Sequence, residues 1–477
     1  MNKRKIAFVC AIILVVLGIL STVFYRLYNK TEVYTLYSGD KEMWRHIFSE
    51  GKNYYRFPEK PLGVILPHHM IAAYELAKFY NGLSKVADPQ TIYIIGPNHY
   101  ETGSADIQTC DNCIYKTSLN GLDSDLQVNS EIAQELVKEK IAEIYDKSFE
   151  KEHSIFSHAA YVKKYFPNAK IVPIILQWKI PKEEVLKLSS WLDKNLSDND
   201  LVIASVDFSH YQTKEVSDFH DQSSFASISN FDFNNIYDLE IDSPSSIYLL
   251  LDLMKKKGYE KAERFAHTNL QDFMEEKQAR TTSHQFFGFF NGKNEIVKGI
   301  SVLSFADFPQ TNFLGLIDNW NWNRDYNQEK DETGFKYLKD IKGEEDRFLT
   351  GSDFNIFDLN DGKCDMKKQN GLTISFCKFS EDVKYKDDSL VGIKAAKKSS
   401  DFVYLLYQFS GEDLTNKRKS LAKKMADSGA DVFVGRGIKE VTPFENYKGK
   451  SMFYSSKDII IGLYFTPDKI DLYQFPF

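Results

Sequence analysis

The sequence lacks the features that mark several common classes of protein. Lys and Arg number 60 against 67 Asp and Glu, which gives a formal charge of −7, and no basic run stands out beyond the first few residues. Nucleic-acid-binding domains usually carry a basic face, so no nucleic-acid partner is expected. The sequence Gly-x-Ser-x-Gly, which forms the nucleophile turn of α/β-hydrolases, does not occur, and this argues against a serine hydrolase.

Cysteine is also scarce, with five residues in 477. Cys110 and Cys113 are separated by Asp-Asn between two alternating apolar runs, so we predict a hairpin closed by a Cys110–Cys113 disulfide. Free thiols remain an alternative. A zinc site is disfavoured because no second Cys-x-x-Cys exists, and a thioredoxin-like site because no helix follows the first cysteine. Whether Cys364 and Cys377 form a second disulfide stays open.

One long apolar run lies near the N-terminus. Residues 6–24 are uncharged and mostly apolar, and they follow basic residues at positions 3–5. About 20 such residues span a bilayer as a helix, and the basic residues favour the cytoplasmic side. The run predicts a single-pass protein of the cell membrane, with a cytoplasmic N-terminus and its main domains outside the cytoplasm. A cleaved signal peptide is the alternative.

The remaining pattern predicts an α/β protein. Continuous apolar runs of strand length, separated by segments of helical period, are typical of a mostly parallel sheet with helices on both faces, a three-layer arrangement. These runs are at residues 62–66, 91–95, 171–176 and 201–205. We expect an anchor at residues 1–30, a first domain at 31–306, and a smaller α/β domain at 307–477.

Three of the apolar runs lead into a histidine: His68, His99 and His210. In an open α/β sheet, residues just past the carboxyl ends of the strands line the ligand crevice. Three imidazoles delivered to that edge predict one site that binds a metal or moves protons. Imidazole suits zinc, copper, iron and nickel, and two histidines with one carboxylate form a common non-haem iron set.

Further polar residues accompany these histidines. Asp207 precedes His210 in Asp-Phe-Ser-His, and Glu152 and His153 form a second polar cluster. We predict His210, Asp207, His153 and Glu152 as acid/base or orienting groups of that site. The third ligand is left open among four carboxylates: Asp207, Glu152, Glu275 and Glu276.

Taken in order, these motifs resemble those of the Memo family, known in prokaryotes as AmmeMemoRadiSam system protein B. The family's Pro-His-Ala-Gly-Tyr resembles Pro-His-His-Met-Ile at 67–71, and its Gly-Pro-Ser-His resembles Gly-Pro-Asn-His at 96–99. Its Glu-His-Ser-Ile-Glu resembles Glu-His-Ser-Ile-Phe at 152–156. Its Ser-Ser-Asp-Phe-Ser-His-Tyr is nearly intact at 205–211. The resemblance covers about residues 55–292.

The resemblance implies a fold shared with class III extradiol dioxygenases, which use a non-haem iron. It also implies that His68 and His99 ligate a divalent metal, iron or copper being plausible, together with a cysteine. The matching region, at about residues 274–283, contains no cysteine.

The C-terminal part resembles the end of CapA-type capsule proteins, which have a metallophosphatase-like fold. Residues 421–435 and 441–455 carry this resemblance, but the family's Gly-His-x-Pro-His reads Gly-Arg-Gly-Ile-Lys at 435–439. No histidine follows His284, so a histidine-bearing metal centre is not expected there. Asp318 is the one candidate for a surviving metal aspartate of that family.

These observations lead to three functional hypotheses. The first is a membrane-anchored, extracytoplasmic Memo-like protein that binds a divalent metal and carries out redox or dioxygenase-like chemistry on an unknown substrate, a small molecule or a cell-envelope polymer. The second is a non-catalytic cell-surface binding or scaffold protein with decayed metal sites. The third, less favoured, is a metal-dependent hydrolase. The sequence does not indicate an oligomeric state.

Overall fold

The computed structural model describes the chain from residue 30 onward, with gaps. The described residues are 30–35, 40–117, 125–276, 278, 280–298, 300–305, 348–350, 362–369, 371–381, 386–438, 444–454 and 460–475. They divide by their contacts into two units. The first unit contains the described residues up to Asp207, with Asp242–Thr268 and His284–Lys293. The second contains Phe208–Ile241, Asn269–Ser283 and the described residues from Asn294 onward.

The strands are, in chain order, β1 (Thr31–Tyr34), β2 (Gly63–Leu66), β3 (Thr91–Pro97), β4 (Ile107–Thr109), β5 (Cys113–Lys116), β6 (Asp125–Gln127), β7 (Glu143–Ile144), β8 (Lys170–Leu176), β9 (Asp200–Ser205), β10 (His210–Gln212), β11 (Tyr259–Asn269), β12 (Thr281–Phe290), β13 (Gly292–Lys293), β14 (Ile300–Phe305), β15 (Phe348–Thr350), β16 (Lys363–Gln369), β17 (Leu372–Ser380), β18 (Phe402–Gln408), β19 (Val432–Arg436), β20 (Glu445–Tyr447), β21 (Lys450–Phe453), β22 (Ile460–Phe465) and β23 (Ile470–Phe475).

The α-helices are α1 (Lys41–Glu50), α2 (Ala73–Leu83), α3 (Ser130–Lys138), α4 (His153–Tyr165), α5 (Lys182–Asn195), α6 (Lys214–Ser229), α7 (Pro244–Lys257), α8 (Lys386–Ser399) and α9 (Asn416–Ser428). Short 3-10 turns lie at Met70–Ala72, Asp146–Phe149, Ile236–Asp238 and Leu270–Phe273.

The first unit is built on a large sheet with the strand order β13-β11-β12-β2-β9-β3-β8-β4-β7. Its centre, β2-β9-β3-β8, is parallel, and its residues are almost all buried, as expected for apolar strands covered on both faces. Val64 and Leu66 of β2 pack in a core with residues of α2 and α4. Gly63 instead faces Leu250 and Met254 of α7. Because successive strand residues point to opposite faces, helices cover both sides, and the predicted mixed α/β arrangement is confirmed.

The predicted membrane-spanning helix and single-pass location are contradicted. Among the helices of the described residues, none is long and apolar enough to cross a membrane. The longest, α6, has 16 residues and spans about 24 Å, short of the ~30 Å hydrocarbon core. Residues 6–24, whose hydropathy alone prompted the prediction, lie outside the described residues.

The predicted Cys110–Cys113 disulfide is present, but the predicted hairpin is wrong. Cys110 follows β4 of the large sheet, whereas Cys113 begins β5, which pairs with β1 and β6 in a separate three-stranded sheet. The two runs alternate as hairpin strands do, but each hydrogen-bonds to a different neighbour. The disulfide therefore links two sheets.

The second unit contains two further sheets. In the sheet β16-β17-β18-β19-β21-β20, the four inner strands are parallel, and α8 and α9 pack against it. The sheet β15-β14-β22-β23 is antiparallel and packs against α6. Cys364 and Cys377, opposite each other on β16 and β17, form a disulfide. The domain boundaries at 30/31 and 306/307 stay a prediction, and Asp318 lies outside the described residues.

Candidate metal centre

The parallel register of the central strands brings polar residues of the first unit to one edge of the sheet. Leu66 of β2 pairs with Ser205 of β9, and both strands end there. His68 therefore emerges beside Asp207, two residues past the end of each strand. His99 follows β3, the other neighbour of β9. This convergence is what the carboxyl ends of adjacent parallel strands produce.

His68 is held firmly in this edge and is only 1% exposed. Its backbone N–H donates to Asp207 Oδ1 (3.0 Å), and its Nδ1 lies 3.1 Å from Ser205 Oγ. Nε2 lies 3.1 Å from Asp242 Oδ2 and 3.4 Å from Asp207 Oδ2, but makes no hydrogen bond of good geometry with any described residue. Burial lowers the pKa of His68, but the two carboxylates outweigh it and raise that pKa above its usual value.

His99 is oriented by Glu152, the residue that caps the N-terminus of α4. Its Nδ1 lies 2.7 Å from Glu152 Oε1, and its backbone N–H donates to Oε2 (2.9 Å). Burial lowers the pKa of His99, but the carboxylates of Asp242 and Glu152 reverse this and raise it to about 10. For the Glu152 carboxyl, burial raises the pKa, but the hydrogen bond and charge of His99 bring that pKa below its usual value. Nε2 of His99 is left facing the Asp242 carboxylate.

Asp242 supplies the carboxylate that faces both histidines. Its Oδ2 lies 3.1 Å from His68 Nε2 and 3.8 Å from His99 Nε2. Donor atoms bound to one ion at about 2.0–2.2 Å lie about 3–3.5 Å apart, so the distances from Asp242 Oδ2 to the two Nε2 atoms are near those of a coordination sphere. Asp207 and Asp242 are also joined directly, because the Asp207 N–H donates to Asp242 Oδ2 (3.2 Å).

His153 is the most exposed of the three clustered histidines, at 35%. Its ring stacks on that of His99, with centroids 3.9 Å apart, and meets the His68 ring edge-on at 5.1 Å. One nitrogen from each of these three histidines lies within 4.8 Å of the others. Burial and the charges of His68 and His99 lower the pKa of His153 to about 4, so its ring is neutral at pH 7.

The residues present fit a divalent metal. The donor set consists of two imidazole nitrogens and one carboxylate oxygen: His68 Nε2, His99 Nε2 and Asp242 Oδ2. The other ring nitrogen of each histidine, Nδ1, lies against a polar partner. Two groups whose donor atoms all lie within 4.8 Å of one another overlap with this set: His68, His99 and His153, and His68, Asp207 and Asp242. The buried His68 Nε2, facing carboxylates without a proper hydrogen bond, is an atom that a cation would satisfy.

The structure thus brings together five of the six predicted site residues: His68, His99, His153, Glu152 and Asp207. The sixth, His210, begins β10 in the second unit, where it pairs with Thr282 of β12, so its predicted role stays a prediction. Glu275 and Glu276, two of the candidate third ligands, are exposed residues of the second unit.

Two residues of the site are not predicted by the sequence. Asp242 lies in a loop before α7, far in the sequence from the histidine motifs. Its position ahead of Ser243 and Pro244 indicates only that a helix begins there. His158 is fully buried on α4, one helical turn from Ser154 and Ile155, and an isolated histidine among apolar residues carries no signal. Glu152 caps α4, and Ser154, within the first turn, donates its Oγ–H to the Pro97 carbonyl.

Comparisons with known proteins relate this chain to one family. A family model described as Memo-like protein matches residues 35–282. A MEMO1 family protein of Pyrobaculum aerophilum is 28% identical over 209 residues, covering 42% of this chain and 73% of that protein. A MEMO1 family protein of Caldivirga maquilingensis is 30% identical over 184 residues, covering 37% and 62%.

Among solved structures, the uncharacterized protein JW3007 from Escherichia coli K12 matches 47% of this chain and 98% of its own. The identity is 13% and the TM-score 0.32, too low to support any argument about fold.

Proposed function

Because the chain belongs to the Memo-like protein family, we propose that it binds one divalent transition-metal ion through His68, His99 and Asp242. The observation that carries this proposal is the position of Asp242 Oδ2, within 3.8 Å of both Nε2 atoms. Bound there, such an ion supplies redox or Lewis-acid chemistry, and this donor set with open positions is typical of non-haem iron(II) oxygenases.

Iron is our first candidate and copper our second. Zinc is also compatible with these donors, which lack the thiolate that would favour it strongly. The cysteine that the family resemblance implied has no counterpart, and the Asp242 carboxylate replaces a soft ligand with a hard one. This exchange favours iron over copper(I).

The exposure of the site indicates how a substrate would approach. His68 is enclosed, whereas His99 and His153 are 24% and 35% exposed in their side chains. A small-molecule substrate would therefore enter from the His153 side. The neutral His153 ring would accept a proton from it there, while Glu152 and Asp207 hold His99 and His68 in place. The proposed chemistry is oxygen-dependent or redox turnover of this substrate.

Two finer identifications belong to the proposal as well. We infer that the family branch is that of AmmeMemoRadiSam system protein B, on the motifs at residues 96–99 and 205–211. We also infer that the C-terminal residues derive from a CapA-type protein without retaining its metal chemistry. The succession β18-α9-β19 and the lack of any histidine after His284 support that reading.

Metal content tests the proposal. The full chain is purified, reconstituted with iron(II) without oxygen, and analysed by plasma mass spectrometry beside His68→Ala, His99→Ala and the control His46→Ala. We expect about one ion per chain in the parent and in the control, because His46 lies on α1 against Tyr74, and none in the other two. A parent that retains no iron, copper or zinc would contradict the proposal and favour a non-catalytic binding or scaffold protein.

A further inference from the structure

A chain of buried polar groups runs from His68 into the core of the first unit, away from the metal centre. His68 Nδ1 lies 3.1 Å from Ser205 Oγ, which lies 2.9 Å from His158 Nε2. His158 Nδ1 in turn lies 3.0 Å from the hydroxyl of Tyr80. The four residues come from the end of β2, from β9, α4 and α2, and none is more than 1% exposed.

Ser205, His158 and Tyr80 are each able to both donate and accept a hydrogen bond. Burial, followed by the charge of His68, lowers the pKa of His158 to about 3, so its ring is neutral with one donor and one acceptor nitrogen. Burial raises the pKa of Tyr80 well above its usual value, so its phenol keeps its proton. Two opposite donor orders satisfy all three contacts, and an ion on His68 Nε2 selects the one in which His68 Nδ1–H donates to Ser205 Oγ, Ser205 Oγ–H to His158 Nε2, and His158 Nδ1–H to the Tyr80 oxygen.

In this order the ring proton of His68 lies on Nδ1, and the lone pair lies on Nε2. Nε2 is the nitrogen that faces Asp242. The opposite order would place a proton on Nε2, where it would occupy the position of the ion. A hydrogen bond at one imidazole nitrogen decides which nitrogen is free for a metal, so the direction of this chain matters to the centre.

We propose that Ser205, His158 and Tyr80 are positioning residues that hold the His68 proton on Nδ1 and so present Nε2 to the metal. This inference rests on the proposed metal centre. It extends that centre beyond Ser205, which contacts His68, to His158 and Tyr80, which touch no ligand of the ion. Losing a partner of a metal-bound histidine typically weakens metal binding about 10–100-fold. The effect should diminish with each step along the chain.

Matched pairs of variants test the proposal. Ser205→Ala is compared with Ser189→Ala, since Ser189 is equally buried but bonds to Asp252. Tyr80→Phe is compared with Tyr161→Phe, whose ring stacks on Tyr80 and whose hydroxyl donates to the Ala73 carbonyl at the same 3.0 Å. Each pair removes one buried hydroxyl, and only one member of each pair belongs to the chain.

Zn²⁺ affinity of the full chain, measured by competition with a chelator, is the first readout. We expect Ser205→Ala to bind Zn²⁺ about 10–100-fold more weakly than Ser189→Ala, and Ser205→Thr to recover most of the loss. Tyr80→Phe should bind about two- to fivefold more weakly than Tyr161→Phe. Equal affinities within either pair would overturn the proposal.

The second readout needs no variant. Nitrogen-15 spectra of the zinc-bound chain with labelled histidines report which nitrogen of each of the 10 histidines carries a proton. We expect the proton of His68 on Nδ1, and a proton on Nε2 would overturn the inference. If the parent binds no Zn²⁺, the metal centre itself fails. If it binds Zn²⁺ but the pairs behave alike, only the positioning chain fails.

Discussion

At the scale of single residues, the centre depends on how each imidazole is held. Glu152 holds Nδ1 of His99 and Ser205 holds Nδ1 of His68, so both rings present Nε2 toward Asp242. Without an ion, the nearby carboxylates favour the protonated form of both rings, which is why the pKa values of both histidines are raised. An ion would replace these protons and keep the same electrostatic balance.

Asp242 is the residue whose role the structure adds. We predict that Asp242→Asn lowers Zn²⁺ affinity at least about tenfold, because it removes a charged donor and keeps the side chain's shape. Asp252→Asn, on α7 and bonded to Ser189, is the matched control and should change affinity little. Chelator competition measures both. Equal affinity in the two variants would remove Asp242 from the proposed ligands.

The pKa of His99 makes metal binding depend on pH. His99 must lose its proton to bind through Nε2, and this pKa is raised from 6.5 to about 10. Between these values the apparent affinity for Zn²⁺ should rise with pH, by about tenfold per unit for one released proton. Glu152→Gln removes a carboxylate that raises the pKa, so its dependence should be flatter. Identical slopes for parent and variant between pH 6.5 and 8.5 would refute this.

The raised pKa of His99 also makes the stability of the metal-free protein depend on pH. The ionised His99–Glu152 pair stabilises the fold fully below pH 6.5, as long as Glu152 stays ionised, and this contribution is lost as the pH rises through about 10. Urea unfolding across that range should show a loss of stability in the parent that His99→Ala lacks. A variant with the same pH dependence as the parent would contradict the assignment.

At the scale of elements, the junction of β3 and α4 holds the centre together. Glu152 caps α4 by accepting the Ser154 N–H (2.9 Å) while it binds His99, so one carboxylate serves both elements. Gly96, near the end of β3, lies so close to α4 that a Cβ there would be 2.7 Å from the Cβ and Oγ of Ser154. A larger residue would push the two elements apart.

This close approach predicts the effect of a single methyl group. Gly96→Ala should destabilise the fold by about 1–3 kcal/mol and weaken Zn²⁺ binding, because β3 and α4 carry His99 and Glu152. Ser154→Gly in the same chain removes the clashing atoms. A double-mutant cycle followed by urea unfolding should therefore show favourable coupling between the two substitutions. Additive effects would mean that the contact does not limit the spacing.

The same elements show how far the sequence could predict the site. Strand-length apolar runs that end in Pro-His and Gly-Pro-Asn-His located His68 and His99, because parallel strands place their carboxyl ends together. Asp242 could not be found, since the loop before α7 has no periodicity and reaches the centre only through tertiary packing. The prediction of a Cys110–Cys113 hairpin was wrong for a related reason. Alternation of apolar and polar residues indicates a strand but does not show which strand it pairs with.

At the scale of the whole molecule, each unit has a core of its own. The first unit packs Val64, Ile94 and Phe79 in one cluster, and the second packs Leu405, Met425 and Phe433 in another. The Cys364–Cys377 disulfide crosslinks two strands of the second unit, at a sequence separation of 13. The ligands of the proposed ion all belong to the first unit.

Replacing both Cys364 and Cys377 by Ala should therefore lower the stability of the second unit without affecting the proposed metal centre. We predict that the double variant loses about 3 kcal/mol in the unfolding of the second unit, since the crosslink limits its unfolded chain. Zn²⁺ affinity should stay within twofold of the parent. Calorimetric scans with and without Zn²⁺ measure both quantities. A double variant that no longer binds Zn²⁺ would show that the centre depends on the second unit.

The most direct test of the proposed centre is anomalous diffraction from crystals of the iron-reconstituted chain, collected on both sides of the iron absorption edge. We expect one peak at about 2.0–2.3 Å from His68 Nε2, His99 Nε2 and an Asp242 carboxylate oxygen. A peak held by other side chains, or no peak at these three residues in a chain shown to contain iron, would contradict it.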